Sequence, residues 1–413
     1  MDTKQIFNII LGQVQPSKQD YKEESVFVSM LMKRIRSVLP SGFSIKLTGS
    51  VAKKTFLKNS KDIDIFILVP KRTRKEDFEK LARGIVQKSL GAKPEIRYAE
   101  HPYVHIIYGG RHIDIVPAYK ISSTREMMSA VDRSVFHTGF VLRRLKKAQI
   151  REVLLLKQFL KANGLYGAEI KVEGFSGYLC ELLVLKFRNF LGVLKHFSTD
   201  KNTKIEFMVK AGKEFFEPLI FVDPVDPSRN VAAVVSEENL KRFRRLCVQF
   251  LKKPSRKFFE QDYESEELKR FEKSRYQKYG IFFEKPGIVD DILWGQFKRL
   301  GKNLVTFLEK QEFKVKKAIL RSSEKCAVFF SVEEGELGSQ KIIAGPPLKL
   351  KEHVKKFILA HKKAKVIRRG GKASVLVERR IKTVEQAIRV FFKNKQGIPS
   401  HFVGLEKKIK KIK

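Results

Sequence analysis

Apolar positions in the first third of the chain follow helical spacing first and strand spacing afterwards. Residues 17–39 carry apolar side chains three and four apart and end at Pro40, which predicts a helix. Alternating or apolar runs predict strands at "FSIKLT", at "DIDIFILV" and within "EIRYAEHPYVHIIYGGRHIDIVPAY", where Gly109-Gly110 predicts a hairpin turn. A second helix is expected over roughly residues 74–90. This part is therefore predicted to be a mixed or antiparallel sheet with helices.

The pattern changes twice further along the chain. "REVLLLKQFLKAN" and "GYLCELLVLKFRNFLGVLKHF" predict helices, and a charged, weakly periodic stretch follows near residues 253–265. A helix is predicted over 289–308, and short strands are expected after it, including a hairpin in "KVIRRGGKASVLVERR". We therefore expect three domains, with bounds 1–145, 146–258 and 259–413.

Composition indicates a folded protein that binds a polyanion. Of the 413 residues 43% are hydrophobic, and 85 Lys and Arg against 45 Asp and Glu give a formal net charge of +40. Residues 341–413 contain 22 Lys and Arg against 4 Asp and Glu. Such an excess favours RNA or DNA over a membrane surface as the partner, with the C-terminal end as the best candidate for the binding surface.

Cysteine content and hydropathy indicate the compartment. Three widely spaced cysteines provide neither a disulfide framework nor zinc-finger spacing, which fits a reducing cytosol. The N-terminus lacks the basic region of a signal peptide, and no apolar run has membrane-spanning length. A cytoplasmic location and no membrane partner are expected, and a homodimer is one of the assemblies that the sequence leaves open.

Three aspartates on predicted strands form the sharpest chemical signal. Asp62 and Asp64 are two apart on one strand and so point to the same face, while the isoleucines between and after them take the core face. Asp114 lies on the last strand of the predicted hairpin, again between isoleucines. Three carboxylates on neighbouring strands can hold two Mg²⁺ ions for phosphoryl or nucleotidyl transfer. The alternative is an edge strand with solvent-facing acids.

Other polar residues carry weaker signals. Gly49-Ser50 before a short helix offers backbone N–H groups and a hydroxyl to phosphate oxygens. His101 and His105 are interpreted as structural, and the acids of "DPVDPS", Asp223 and Asp226, as ordinary turn chemistry. The chain contains no G-x-x-x-x-G-K-[ST] motif, so the sequence does not support an ATPase of the P-loop type.

Several longer stretches carry a family resemblance. "LTGSVAKKTFLKNSKDIDIFILVP" resembles the G-S…D-x-D signature of the polymerase beta-like nucleotidyltransferase superfamily. "IDIVPAYK", "LLKQFLKANGLYGAE", "GFSGYLCELL" and "VDPVDPSRNVAA" are similar to the archaeal class I CCA-adding enzymes, the tRNA nucleotidyltransferases. The resemblance extends from about residue 40 to 250, persists at "KPGIVDDILWGQ" and fades in the last hundred residues.

The resemblance implies an α+β multidomain protein. A polymerase beta-like nucleotidyltransferase palm is expected over 1–145, and a helical central domain for nucleotide and base recognition over 146–258. An α/β basic C-terminal region over 259–413 is expected to bind tRNA. It places the family's catalytic metal ligands on Asp62, Asp64 and Asp114, and its nucleotide-binding residues on Ser50, Lys53, His137, Lys157 and Tyr166. Arg229 matches the residue implicated in reading the incoming base. The family usually has arginine where this chain has Lys53, and a lysine lacks the planar fork needed for bidentate phosphate contact.

Without the resemblance, three of these residues favour other roles. The sequence around His137 is equally consistent with a half-buried structural histidine. Lys157 lies on a polar stripe that is typical of a solvated helix face. Tyr166 follows the end of a helix, where a tyrosine more often packs against a loop.

The implied activity is template-independent addition of C, C and A to the 3′ end of tRNA from CTP and ATP, with Mg²⁺ as cofactor and pyrophosphate as product. The enzymatic alternative is a poly(A) polymerase-like terminal nucleotidyltransferase, which shares the aspartates and adds many A residues. A non-catalytic RNA-binding protein with a relic palm would lack a metal ligand, and all three aspartates are present.

Overall fold

A computed structural model describes residues 2–58, 60, 62–98, 100–199, 202–362, 364–395 and 397–412. The chain divides into two compact units, Met1–Glu264 and Ser265–Lys413. The finer division of the first unit near residue 145 stays a prediction. Within the described ranges, every helix is too short or too polar to cross a lipid bilayer.

A five-stranded mixed sheet forms one layer of the first unit. Its strands are β1 (Ser44–Thr48), β2 (Asp62–Val69), β3 (Glu95–Tyr98), β4 (Pro102–Tyr108) and β5 (Arg111–Tyr119), in the order β1-β2-β5-β4-β3. β2 and β5 run parallel, and the other neighbours are antiparallel. Gly109 and Gly110 both have positive φ and turn β4 into β5, which confirms the predicted hairpin.

Helices cover one face of this sheet. The helices of this part of the chain are α1 (Thr3–Val14), α2 (Lys18–Arg36), α3 (Gly49–Lys53), α4 (Phe78–Leu90) and α5 (Arg133–Arg144), with single 3₁₀ turns at Lys75–Asp77, Thr124–Glu126 and Ala130–Asp132. The apolar sides of α2 and α4 share a core with Ile63, Ile65 and Ile67 of β2, which are buried as the alternation predicts. The acids of β2 therefore point away from α2 and α4.

A helical layer completes the first unit. It contains α6 (Lys147–Ala162), α7 (Gly177–Phe187), α8 (Phe190–Thr199), α9 (Glu237–Lys252) and α10 (Lys257–Glu260), with the short parallel strands β6 (Lys204–Ile205) and β7 (Ile220–Phe221). Its core is rich in phenylalanine, with the ring of Phe159 lying 5.6 to 6.4 Å from five others. Ile6 and Ile10 of α1 also belong to this core, although they are remote from it in sequence.

The second unit combines two antiparallel sheets with helices. Its elements are β8 (Gln277–Glu284), α12 (Asp290–Lys310), β9 (Val315–Ser322), β10 (Lys325–Val332), β11 (Gln340–Pro347), α13 (Lys351–Ala360), β12 (Lys365–Arg369), β13 (Lys372–Glu378), α14 (Val384–Asn394), a 3₁₀ turn at Ser400–Phe402 and β14 (Lys407–Ile412), preceded by α11 (Tyr263–Glu272) at the division between the units. One sheet has the order β14-β8-β10-β9 and the other β11-β13-β12. The hairpin β12–β13 turns at Gly370-Gly371, as predicted.

Two features of the second unit were not specified by the sequence predictions. The helices α13 and α14 were not predicted, although α14 has apolar residues at helical spacing and a capping box between Thr383 and Gln386. The lysine-rich end is an edge strand, with β14 paired to β8 and Ile409 packed against the core. Strand alternation explains this, because Ile409 faces inward while its neighbours Lys408 and Lys410 point to the other face and are exposed.

Candidate active site

The register of the central strands brings two of the three predicted aspartates side by side. Asp64 of β2 pairs directly with Asp114 of the parallel strand β5. Asp62 lies two residues before Asp64 on the same face of β2. A local i, i+2 pattern and one long-range strand pairing therefore assemble the acidic cluster that the sequence predicted.

The turn between β1 and α3 lies against Asp64. Gly49 has a φ of +66°, and a Cβ atom on this residue would stand 1.8 Å from Asp64 Oδ2. Only glycine fits at this position, because the backbone is left-handed and the space is already filled by a carboxylate. Ser50 follows on α3 and is half-buried, so the predicted Gly49-Ser50 element borders the acidic cluster.

The carboxylates of the cluster have separate hydrogen-bond partners. Ser60 Oγ donates to Asp62 Oδ2 over 2.9 Å, and His105 Nδ1 donates to Asp114 Oδ1 over 2.6 Å. His105, which the sequence analysis interpreted as structural, thus lies against the acidic cluster. Among the described residues, no three Asp, Glu, His or Cys side chains are gathered closely enough to coordinate a metal ion as they stand.

The electrostatics of the cluster favour a cation. Burial, together with the charges of Asp114 and Asp62, raises the pKa of Asp64 to about 6, and the charge of Lys53 opposes this shift. Like charges so close together destabilise one another unless a cation lies between them. Oxygen donors from three carboxylates are the ligands that Mg²⁺ prefers, so the donor set fits this ion.

A buried group of charges lies beside the acidic cluster. Lys53 Nζ lies 2.6 Å from Glu181 Oε2, and Thr55 Oγ1 donates to Glu181 Oε1 over 2.6 Å. Lys157 Nζ donates to the Thr55 carbonyl over 2.8 Å and lies 3.9 Å from Glu181 Oε1. Glu181 and Thr55 are completely buried. Two ammonium groups therefore share one carboxylate, which leaves a formal excess of one positive charge.

The placement of Lys157 overturns its periodicity-based interpretation. Lys157 is only 2% exposed, although its neighbours in sequence predict a solvated helix face. Burial holds the pKa of Lys157 below its ordinary value, although the charge of Glu181 acts in the opposite direction. Its Nζ lies 6.0 Å from the centre of the Tyr166 ring, so the two predicted nucleotide-binding residues are neighbours.

A second buried carboxylate organises the remaining predicted residues. Asp223 Oδ2 accepts hydrogen bonds from His137 Nε2 at 2.8 Å and from Arg229 Nη1 at 3.0 Å. Burial holds the pKa of His137 below its ordinary value, although the adjacent Asp223 acts in the opposite direction. Arg229 lines an open cleft together with Ser176, Lys213 and Phe215.

Helix α7 connects these two groups of charges. Tyr178 OH donates to Asp223 Oδ1 over 3.2 Å, and Glu181 lies one turn further along the same helix. The Tyr178 ring also lies 5.9 Å from Lys53 Nζ. An unbroken set of neighbours thus leads from the aspartates through Lys53 to Arg229.

Sequence reasoning missed the residues that hold these groups in place. Glu181 is the only charged residue in the first eight positions of an otherwise apolar helix, and this isolation was a usable signal. Asp223 was assigned to turn chemistry, and that interpretation was incomplete because its side chain is wholly buried among donors from other elements.

Comparisons with known proteins agree along the length of the chain. Residues 28–137 match the nucleotidyltransferase domain, residues 151–260 the second domain of tRNA nucleotidyltransferase, and residues 277–407 the C-terminal domain of CCA-adding enzymes. The CCA-adding enzyme of Archaeoglobus fulgidus is 36% identical over 95% of this chain and 90% of the relative. The chain belongs to the CCA-adding enzyme family.

Further relatives extend this family assignment. The CCA-adding enzymes of Methanocaldococcus jannaschii and Pyrobaculum aerophilum are 34% and 37% identical, over 91% and 81% of this chain and 88% and 80% of the relatives. The chain is thus a tRNA nucleotidyltransferase, and the predicted α+β multidomain fold with a nucleotidyltransferase domain is confirmed.

Solved structures align at a lower level. The structure of E. coli MS115-1 CdnC with ATP covers 63% of this chain and 95% of that chain, with 17% identity and a TM-score of 0.47. Similarity at this level carries no argument about the site.

Removing the charge of Glu181 should destabilise the first unit strongly. In Glu181→Gln the two lysine side chains stay buried without a counter-charge, and breaking a buried pair in this way costs about 3–5 kcal/mol of unfolding free energy. Urea unfolding followed by circular dichroism measures the loss. Fluorescence of Trp294, the one tryptophan of the chain, reports on the second unit in the same samples.

The matched control for this variant is Glu237→Gln on α9. Glu237 pairs with Lys241 one turn away at the exposed surface, where solvent screens such a pair and its loss changes stability little. Equal small losses for the two variants would contradict a structural role for the Glu181 charge.

Replacing Asp64 by Asn should stabilise the metal-free enzyme at neutral pH. The pKa of about 6 lies above the ordinary 3.8, so the folded protein retains a proton that the unfolded chain releases between these values. The free energy of unfolding therefore falls as pH rises from about 4 to about 6 and stays lower above that range. Asparagine does not ionise, so the variant avoids this loss.

Urea unfolding with chelator at pH 4 and pH 7.5 measures this effect. We expect Asp64→Asn to exceed the wild type at pH 7.5 and to match it at pH 4. Added Mg²⁺ should stabilise the wild type at pH 7.5 more than the variant. A wild type that is as stable as the variant at both pH values, without metal, would refute the electrostatic account.

Proposed function

We propose that this chain adds C, C and A in turn to the 3′ end of tRNA, without a nucleic-acid template, using CTP and ATP and releasing pyrophosphate. The observation that carries the proposal is the pairing of Asp64 with Asp114 beneath Gly49, directly beside the buried lysines, in a chain of this family. Acids on the central strands β2 and β5, with cations beside them, match the opposite demands of a metal ion and a triphosphate.

Asp62, Asp64 and Asp114 are the residues that would hold Mg²⁺. When bound there, Mg²⁺ supplies Lewis-acid activation of a 3′-hydroxyl and charge stabilisation of pyrophosphate. His105 and Ser60 each hold one oxygen of Asp114 and of Asp62 in place, and each carboxylate has a second oxygen to offer the ion. The raised pKa of Asp64 makes its ionisation dependent on that ion at acidic pH.

Lys53, Lys157 and Ser50 would bind the triphosphate. The excess positive charge of the buried lysine pair is available to an anion, because Glu181 compensates only one of the two ammonium groups. Lys53 in place of the family's arginine suits this arrangement, since it makes one short contact to Glu181 and does not use a planar fork. Tyr166 and His137 lie at the borders of this region and would contact the sugar and phosphates.

Arg229 would read the incoming base. Cytosine and adenine present a ring-nitrogen acceptor beside an amino donor, whereas uracil and guanine present a ring N–H beside a carbonyl. An arginine only donates, so it satisfies the first edge and leaves an N–H unpaired on the second. An unpaired buried group costs roughly 1–3 kcal/mol, which is enough to discriminate between nucleotides.

Stepwise incorporation tests the proposal. A tRNA that lacks its terminal C-C-A is supplied with each labelled nucleotide in turn, and products are resolved by length. We expect two C residues and then one A, with no further growth. In Asp64→Asn the rate should fall by a factor on the order of 10³ or more, because a preorganised electrostatic group is lost, while tRNA binding persists.

Two outcomes of this assay would contradict the proposal. A long A tail would identify a poly(A) polymerase-like activity. Incorporation by Asp64→Asn at the wild-type rate would exclude the acidic cluster from the reaction.

The edge strand β14 should contribute to tRNA binding through its exposed lysines. Each phosphate contact adds about 0.7–0.9 to the slope of log K against log salt concentration. Replacing both Lys408 and Lys411 by Gln keeps the strand and should lower the slope by one to two of these increments. Truncation is unsuitable, because Ile409 of the same strand packs against the core.

The control for this measurement changes two lysines on α4. Lys80 and Lys88 are exposed on the helix that covers the sheet face opposite the aspartates, so their replacement by Gln should leave the slope unchanged. Equal slopes for both double variants and the wild type would show that the lysines of β14 do not contact phosphate.

A further inference from the structure

The turn that carries Arg229 is docked on helix α5 by an ion pair and a hydrogen bond, each to one of its two acids. Arg133 Nη1 lies 2.5 Å from Asp226 Oδ2, and His137 Nε2 lies 2.8 Å from Asp223 Oδ2. Arg133 and His137 are four apart and so lie on one face of α5. The spacing of the two acids in "DPVDPSRN" matches that face, which sets the position of the turn along the helix.

The Asp223 carboxylate has a full set of donors. Besides His137 and Arg229 on Oδ2, Oδ1 accepts from Tyr178 OH at 3.2 Å and from the Val225 N–H at 3.0 Å. A carboxylate has about four lone-pair sites, so none is left for solvent or substrate. Burial would raise the pKa of Asp223, yet the hydrogen bond from His137 and the nearby charges hold it below the ordinary value. The group is therefore an anion with a fixed orientation.

This anion orients two residues that come from different parts of the chain. His137 is held on one side by Asp223 and on its ring face by Tyr178, with ring centroids 4.0 Å apart. Arg229 donates one N–H to Asp223, while its side chain remains 34% exposed and lines the cleft with Lys213 and Phe215. Its remaining donors therefore point in directions that depend on the position of Asp223.

We propose that Asp223 is a positioning residue for nucleotide selection, which fixes the Arg229 guanidinium relative to His137 through their shared oxygen. The inference rests on the proposed base-reading role of Arg229 and adds the group that aims it. Asp223 itself touches no substrate, since every acceptor site is occupied within the protein. Its effect on selectivity therefore passes through Arg229.

The deciding variant is Asp223→Asn, which keeps the shape and replaces one acceptor by a donor. An amide nitrogen facing Arg229 sets two donors against each other, and the flipped amide does the same to the Val225 N–H, so neither orientation keeps all the present bonds. We expect the ratio of kcat/KM for CTP over UTP, and for ATP over GTP, to fall by a factor on the order of tenfold. Affinity for tRNA should stay within about twofold, because no tRNA-binding group changes.

The matched control is Asp226→Asn in the same turn. It loses the pair with Arg133 and touches neither the Arg229 side chain nor His137. Both selectivity ratios should fall clearly less in this control than in Asp223→Asn, because Asp223 still holds the Arg229 guanidinium. Equal losses of activity with all four nucleotides in both variants would show that the two acids only stabilise the turn, which overturns the proposal.

A double variant separates positioning from an independent effect. In the Arg229→Ala background, Asp223→Asn should lower selectivity no further, because the oriented group is already absent. If Arg229→Ala lowers selectivity and Asp223→Asn alone does not, the proposal is overturned and the base-reading role stands. If Arg229→Ala leaves selectivity unchanged, base reading fails and the positioning role fails with it, while C-C-A addition itself remains.

Tyr178→Phe is the substitute test of the positioning role if Asp223→Asn does not fold. It removes one of the four donors and keeps the ring that stacks on His137. A loss of selectivity in the same direction, by roughly two- to fivefold, is expected from one weakened hydrogen bond. An unchanged ratio in this variant would overturn the proposal.

Discussion

The buried carboxylate of Glu181 is the interaction on which the first unit depends most. It lies between Lys53, which follows β1, and Lys157, which lies in the middle of α6, and both lysines are almost completely buried. Ammonium groups enter a protein interior only when an anion and hydrogen-bond acceptors accompany them. Glu181 and the Thr55 carbonyl provide these partners. The sheet and the helical layer are therefore joined through charges as well as through apolar packing.

Helix α7 links the buried charges around Glu181 to the group of donors around Asp223. Its N-terminal turn carries Tyr178, which binds Asp223, and its next turn carries Glu181. Groups suited to phosphate and groups suited to a base are thus oriented by one rigid element. A displacement of α7 would change both sets at once, which links nucleotide selection to the integrity of the helical core.

The acidic cluster shows the opposite balance between stability and chemistry. Glu181 is matched by its partners, whereas the pKa of Asp64 is raised by the like charges of Asp114 and Asp62 and lowered by Lys53. The protein tolerates this unfavourable arrangement because strands β2 and β5 hold it from behind with an isoleucine core. Sites prepared for a metal ion commonly have this character, since the energy that the ion supplies is absent until it binds.

Local pattern determined the elements whose information is local. The i, i+2 spacing of Asp62 and Asp64, the isoleucine face opposite them and the Gly109-Gly110 hairpin all follow from strand geometry, and the structure has each of them. The family membership could likewise be read from motifs, because the G-S…D-x-D signature and the later stretches stand in continuous sequence. Helix α14 shows that some local signal went unused, since its spacing and capping box lie within a dozen residues.

Tertiary structure alone decided which polar residues are buried. Periodicity assigned Lys157 to a solvated face because it registers the kind of side chain and not the partner that it meets. The contact between Lys53 and Glu181 spans 128 positions, and that between His137 and Asp223 spans 86. A charge can be buried only where its counter-charge arrives from elsewhere in the fold, and no window of neighbouring residues contains that information. For the same reason Asp223 resembles an ordinary turn residue in sequence and becomes a fully bonded anion only when α5 and α7 pack against it.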